Sequence, residues 1–185
     1  MARQPQTDRD TILVAALSIA DERGLDALTM RAVAERVGVT PMALYRHVGG
    51  KSQLLDGLVE RMLLEVVVPG TALPWREQLT KMTGSLRAVA SRHPEVFPLL
   101  MQRPAATEGA KRVRDAVYAT LRAAGVAADE VPRVERILST FVIGFAASEA
   151  GGRFTVGRRA LDEDLAWFGD HFLTAIDGGD DNRED

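Results

Sequence analysis

The side chains best suited to bind a charged partner lie between Thr29 and Lys51. Within residues 27–53, four basic side chains accompany a single acid, Glu35, so the local net charge is +3. Arginine can donate two hydrogen bonds to a guanine, and lysine and tyrosine can each contact a phosphate. The segment therefore fits a phosphate backbone, and a solvated basic face is the alternative.

Helix signals within this stretch predict two short helices joined by a sharp turn. Thr29 is the expected N-cap of the first helix, and Gly38 ends it because glycine readily adopts the left-handed conformation. Thr40 caps the second helix, and Pro41 suits its first position. The pair is a helix-turn-helix, whose second helix would enter a DNA major groove with its N-terminal residues leading. A plain helical hairpin in a bundle is the alternative.

The rest of the chain also shows helical spacing of its apolar residues and no sustained strand alternation. The sequence therefore predicts an all-α fold, in which an N-terminal three-helix unit is joined to a larger helical bundle. A short apolar piece follows the fifth helix at residues 96–100. The predicted helices span residues 8–23, 29–38, 40–48, 51–68, 74–92, 107–124, 129–150 and 160–176.

Composition excludes several classes of protein. The 185 residues are 46% hydrophobic, which is typical of a globular chain rather than a disordered one. Because there is no cysteine, the chain has no disulfide framework and no thiol nucleophile. No apolar run is long enough to span a membrane. The net charge of −3 includes a C-terminal stretch, residues 177–185, that alone carries −4.

Enzymatic function is a weaker alternative. The sequence contains no nucleophile elbow, P-loop, zinc-protease helix or dinucleotide-binding glycine motif. The three histidines, His47, His93 and His171, lie far apart without metal-ligand spacing. No cofactor is expected. A helical protein-interaction module that lacks DNA binding is the second alternative.

Residues 11–58 resemble the DNA-binding half of the TetR family of bacterial transcriptional repressors. The resemblance covers about a third of the chain, and beyond it the chain is similar to the family only in size and helical character. Where relatives often carry polar or basic residues, this chain has Gly49-Gly50. The matching residues are Leu28-Thr29, Val33-Ala34, Gly38-Val39-Thr40, Leu44-Tyr45, His47-Val48, Lys51 and Leu54-Leu55.

The resemblance implies two sets of DNA contacts. Arg31 and Arg46 would be the main hydrogen-bonding readers, and His47 would either hold a phosphate or pack against the fourth helix. The implied base readers are Arg31, Pro41, Met42, Ala43 and Arg46. The implied phosphate contacts are Thr29, Thr40, Tyr45, His47 and Lys51.

Two copies are expected, because one helix-turn-helix touches too few bases and two of them read a palindrome. The family forms a four-helix interface from its last two helices, although the aromatic residues here could instead fill the subunit core. The residues expected at the dimer interface are Gly144, Phe145, Ser148, Trp167, Phe168 and Phe172.

The middle helices are expected to enclose a cavity for a small, largely apolar effector. Core packing is the alternative for each candidate wall residue. The candidates are Trp75, Met82, Leu86, His93, Phe97, Met101, Tyr118, Phe141 and Glu149.

These expectations describe a cytoplasmic repressor that binds operator DNA as a homodimer and is released by its effector. Residues 1–50 would form the DNA-binding domain, and residues 51–177 the domain for ligand binding and dimerisation. Residues 178–185 would form a disordered acidic tail.

Overall fold

The computed structural model describes residues 8–103 and 107–177, and these residues form helices without any strand. The all-α prediction is therefore confirmed. A 3₁₀ turn at Leu25–Ala27, which the sequence pattern did not predict, joins the first two helices. The α-helices of the described residues are α1 (Arg9–Arg23), α2 (Met30–Val37), α3 (Pro41–Val48), α4 (Lys51–Glu65), α5 (Trp75–Arg92), α6 (Leu99–Gln102), α7 (Glu108–Ala123), α8 (Val131–Ala150) and α9 (Arg158–Asp177).

The first three helices form a compact unit around α1. Asp8 caps α1, and its carboxylate accepts a hydrogen bond of 2.8 Å from the Thr11 backbone N–H. The apolar stripe of α1 is fully buried at Ile12 and Ala16, where it packs with residues of α2 and α3 such as Val33. The three helices together therefore set the angle at which α3 leaves the turn.

Helix α4 connects this unit to the rest of the protein. Leu54 and Leu58 are fully buried in the same apolar cluster as Leu44 of α3 and Phe97, which lies beyond α5. The hydrophobic core is thus continuous from the N-terminal unit through α4 into the larger bundle. Helix α4 ends at Glu65, three residues before the predicted end, where the chain enters a run of three valines.

The larger bundle is built from α5, α7 and α8, which pack on one another, while α7 also packs on α4. A second, smaller apolar cluster around Leu121, Val126 and Val131 joins the end of α7 to the start of α8. No helix among the described residues combines the length and the apolar character needed to cross a lipid bilayer.

Candidate nucleic-acid interface and effector cavity

The turn between α2 and α3 has the geometry that its sequence predicts. Gly38 has a φ of +77° in the left-handed region, and its N–H donates to the carbonyl of Ala34 at 2.9 Å. The Thr40 hydroxyl accepts a hydrogen bond of 3.2 Å from the Ala43 N–H, and Pro41 occupies the first position of α3. The start of α3 is therefore fixed by the turn and by its own cap.

One face of α3 anchors the helix, and the opposite face is exposed. Leu44 is fully buried and Val48 nearly so. Met42 is 72% exposed and Tyr45 is 48% exposed, which is unusual for such large side chains. The remaining outward residues of this face are Pro41, Arg46 and His47, and Ala43 is half-buried.

The basic side chains of this face differ in how they are held. Arg46 has no ion-pair partner among the described residues and is directed into solvent. His47 is also exposed to solvent. Arg31 on α2 donates to the Glu35 carboxylate at 2.8 Å, and this hydrogen bond, with the charge attraction, raises the pKa of Arg31.

A separate ion pair joins α2 to α1. Arg36 donates to the Glu22 carboxylate at 2.8 Å and to the Ser18 hydroxyl at 3.2 Å. The hydrogen bonds from Arg36 and Ser18 lower the pKa of Glu22 to about 2. Arg36 therefore holds α2 to α1, whereas Arg31 and Arg46 take no part in this contact.

The start of α4 places Lys51 beside α3. Gly49 has a φ of +72° and donates its N–H to the Tyr45 carbonyl at 2.9 Å, so it closes α3 directly. The Gln53 side-chain oxygen accepts a hydrogen bond of 2.9 Å from the Gly50 N–H and caps α4. Lys51 is exposed immediately after this turn. Gln53 was not predicted, although a glutamine three residues after a helix cap is a recognisable signal.

A cavity of about 310 Å³ lies between α4, α5, α6, α7 and α8. Part of its lining is apolar: Leu63 comes from the last turn of α4, Val66 directly follows α4, and Leu100 comes from α6. Most of the polar lining comes from α7 and α8, which supply Ser139 and three charged residues, and α5 adds Thr83. These charged residues are Arg114, Glu135 and Arg136.

Two family models match the chain. The model for bacterial regulatory proteins of the tetR family covers residues 12–58, and the model for the tetracyclin repressor-like C-terminal domain covers residues 69–167. The second match alone extends over more than half of the chain. The chain belongs to the TetR family of bacterial regulatory proteins.

Individual relatives agree with this assignment. An HTH-type transcriptional regulator of Saccharopolyspora erythraea is 31% identical, over 96% of this chain and 79% of its own length. ActR of Streptomyces coelicolor, crystallised with (S)-DNPA, is 25% identical with a TM-score of 0.77, over 92% of this chain and 98% of ActR. BioQ, crystallised with its double-stranded DNA operator, is 28% identical with a TM-score of 0.77, over 91% of this chain and 99% of BioQ.

This TetR-family protein is therefore a ligand-responsive DNA-binding transcriptional regulator, and not an enzyme. Within the described residues, no group of histidine, aspartate and glutamate side chains could hold a metal ion.

The predicted cavity residues are distributed over several places in the regulator. Met82 and Leu86 of α5 line the cavity. Phe97 does not, because it is fully buried in the core shared with the N-terminal unit. His93 does not either: its ring nitrogens lie 2.7 Å from an Asp21 oxygen and 3.4 Å from a Glu65 oxygen.

Five further candidates also lie outside this cavity. The Glu149 carboxylate accepts two hydrogen bonds of 2.7 Å from Arg87, and this contact holds α8 to α5. Tyr118 packs on the smaller apolar cluster instead. Met101 and Phe141 line a different surface, an open groove on α8 and α9. Trp75, the remaining candidate, lies under the guanidinium of Arg76, 4.5 Å from its ring centre.

The groove on α8 and α9 has a volume of about 920 Å³ and collects most of the residues predicted for the dimer interface. Phe168 stacks on Phe141 with ring centres 3.6 Å apart, and Trp167 is 62% exposed. Phe172 lies outside the groove and lines a cavity of about 430 Å³ between α5, α8 and α9. The other predicted residues that line the groove are Gly144, Phe145, Ser148 and Trp167.

Proposed function

We propose that this TetR-family regulator represses transcription by binding a palindromic operator as a homodimer, and that a small, largely apolar effector releases it. The observation that carries the proposal is the outward face of α3, where Met42, Tyr45 and Arg46 extend into solvent beside a well-capped turn. In the second helix of a helix-turn-helix, large side chains that are exposed in the free protein can contact base edges in a DNA major groove.

The roles of the exposed residues follow from their chemistry. Arg46, which is unpaired in the described residues, would donate two hydrogen bonds to a guanine, and Arg31 would do so after leaving Glu35. Met42 offers an apolar contact to a thymine methyl group, and Pro41 and Ala43 form the rest of the reading face. Phosphates would be held by the hydroxyl, imidazole and ammonium groups of Thr29, Thr40, Tyr45, His47 and Lys51.

The N-cap threonines of α2 and α3 each keep a hydroxyl proton that can be donated to DNA. Thr29 and Thr40 each accept one backbone N–H with the hydroxyl oxygen, at 3.0 Å and 3.2 Å. A hydroxyl that accepts a hydrogen bond can still donate its own proton. Both threonines are exposed, so each is available to donate to a phosphate oxygen at the end of its helix.

The groove on α8 and α9 supports the homodimer. It exposes stacked aromatic rings next to small residues, Gly144 and Ser148, which allow helices to approach closely. A second copy of the same two helices would complete a four-helix interface. In this arrangement, residues 1–50 bind DNA and residues 51–177 bind the ligand and the partner copy, in the cytoplasm.

The cavity bounded by α4 to α8 indicates the shape of the effector. Its apolar end would reach Leu63 and Val66 at the end of α4, and its polar end would meet Ser139 and the charged residues of α7 and α8. The volume is at the lower end of the range for small-molecule sites. ActR, which was crystallised with the small molecule (S)-DNPA, supports a ligand role for this half of the fold.

The proposal is tested by selecting duplexes that the protein binds from a random pool and by measuring affinity and base preference on the best duplex. We expect a palindromic consensus, and we expect Arg46→Ala to relax the preference at one base pair in each half-site, by about 1–3 kcal/mol. The matched control is Arg133→Ala, which removes an exposed arginine at the start of α8. Failure of the wild type to enrich any sequence would contradict the proposal.

A further inference from the structure

Arg103, the residue that follows α6, reaches across to the first turns of α4. Its guanidinium donates to the Ser52 carbonyl at 3.0 Å and to the Ser52 hydroxyl at 3.3 Å, and it is also ion-paired with the Asp56 carboxylate. The Arg103 side chain is only 20% exposed, so most of it is shielded from water. The contact joins two parts of the chain that are about fifty residues apart.

This contact lies at the end of α4 that faces the proposed DNA surface. Ser52 follows Lys51 in the chain, and the turn at Gly49, which donates its N–H to the Tyr45 carbonyl, comes just before it. Whatever fixes the backbone of Ser52 therefore also fixes the starting point of the Lys51 side chain and the end of α3.

The larger bundle also holds α4 farther along the helix. The Glu60 carboxylate accepts the Gly109 N–H of α7 at 2.9 Å, and Glu65 accepts a hydrogen bond of 2.7 Å from Arg92. At 1.5 Å per residue, Lys51 lies about 14 Å along the helix from Glu60. A small tilt of α4 about its far end would therefore displace Lys51, unless a contact near the start of α4 opposes it.

We propose that Arg103 is a positioning residue for DNA binding: it holds the start of α4 so that Lys51 and Tyr45 reach phosphates while α3 occupies the groove. The inference rests on the proposed function. It adds a residue from the larger bundle that does not touch DNA itself. Because Leu100, three residues earlier, lines the effector cavity, the same contact joins that cavity to the DNA surface.

The test uses the full-length protein and the best duplex that the wild type selects. The dissociation constant is measured over a series of salt concentrations, because the slope of log affinity against log salt reports the number of phosphate contacts. We expect Arg103→Gln to weaken binding about tenfold and to reduce the slope by roughly one unit, as Lys51→Ala does. The double variant should lose little more than either single one, since both remove the same contact.

Asp56→Ala separates positioning from bulk electrostatics. This variant removes a negative charge near DNA, so general electrostatics predicts tighter binding and positioning predicts weaker binding. Arg92→Gln is the matched control: it removes an arginine that pairs with a carboxylate at the other end of α4, and its slope should stay at the wild-type value. Arg103→Lys, which keeps the charge and one donor nitrogen, should restore part of the affinity that Arg103→Gln loses.

Each alternative result has a distinct meaning. If Arg103→Gln keeps the wild-type slope, or if Asp56→Ala tightens binding, Arg103 does not position α4. If the slope losses of Arg103→Gln and Lys51→Ala add in the double variant, Arg103 contacts a phosphate itself and the inference is wrong. If the wild type selects no duplex, the proposed function fails, and the inference fails with it. Thermal unfolding of each variant checks that it is folded.

Discussion

At the residue scale, the two arginines proposed to read bases differ in how freely they can move. Arg46 is unrestrained within the described part of the chain, whereas Arg31 is paired with Glu35 one turn away on the same helix. The side chains of both partners in that pair are more than half exposed, and such pairs contribute only about 0.3–0.5 kcal/mol. Arg31 can therefore exchange Glu35 for a base at little cost.

Glu35→Gln is expected to increase operator affinity about two- to threefold, because it releases Arg31 and removes a negative charge from the DNA surface. Fluorescence anisotropy with the selected duplex would measure the change. Glu77→Gln is the matched control, since Glu77 pairs with Lys81 in the same spacing but lies on α5. Equal affinities for Glu35→Gln and wild type would show that the pair does not restrain Arg31.

The pairing of α1 with α2 has a predictable dependence on pH. Because the pKa of Glu22 is lowered from 4.5 to about 2, its pairing with Arg36 stabilises the folded state at any pH above about 4.5. As the pH falls from 4.5 to about 2, this stabilisation is lost, since Glu22 takes up a proton in the unfolded chain near pH 4.5 but in the folded protein only near pH 2.

Glu22→Gln should therefore lower the free energy of unfolding by a constant amount between pH 7 and pH 5. The difference from wild type should shrink steadily below pH 4.5. Urea denaturation at a series of pH values measures both quantities. A difference that stays unchanged down to pH 2.5 would mean that the stabilising contact of residue 22 does not depend on its charge.

At the element scale, the turn between α3 and α4 depends on its first glycine. Gly49 combines a φ of +72° with a ψ of −130°, and an added Cβ would lie 3.2 Å from a carbon of the Gln53 side chain. We expect Gly49→Ala to cost about 1–3 kcal/mol of folding stability and to disturb the approach of Lys51. Gly70→Ala is the control, because its Cβ would meet nothing within 4 Å and its φ is not in the positive range.

Denaturation and DNA binding of both variants give the comparison. Stability of Gly49→Ala equal to that of the control would contradict the strained turn. If Gly49→Ala keeps full stability but loses DNA affinity, the substitution changes the orientation of α4 without destabilising the fold.

The sequence predicts those elements whose signals are local. Thr29, Gly38, Thr40 and Pro41 each act within a few residues, so the limits of α2 and α3 follow from them directly. The contacts around the cavity are not local in this way. Phe97 and Leu100 belong to the same apolar segment, yet one fills the core and the other lines the cavity, because the packing of distant helices decides which side each residue faces.

Long-range ion pairs were missed for the same reason. Arg103 and Asp56 carry no sequence signal that joins them across more than forty residues, and His93 was expected in the cavity although it bridges α1 and α4. Gln53 is different, since its capping role is encoded by its spacing from Gly50 and was predictable.

At the scale of the whole molecule, the proposed DNA recognition and dimerisation use different surfaces of one protomer. The proposed reading face is on α3, and the open aromatic groove is on α8 and α9. The apolar core continues through α4, so the N-terminal unit and the larger bundle are not joined by a flexible linker. A movement in the bundle that changes the distance between the two α3 helices of a dimer would therefore have to move α4. The proposed dimer can therefore be disrupted without touching the DNA surface.

Trp167→Glu is the substitution that tests the dimer interface without changing the proposed DNA surface. Since Trp167 is 62% exposed in the protomer, a charge there leaves the fold of one subunit intact but would be buried in the proposed interface. We expect the variant to sediment as a monomer where the wild type is a dimer, and to bind the full palindrome at least tenfold more weakly while its affinity for an isolated half-site is unchanged. Val156→Glu, which places the same charge at another exposed apolar residue outside the groove, should remain dimeric. A Trp167→Glu protein that sediments as a dimer and keeps its affinity for the palindrome would place the interface elsewhere on the molecule.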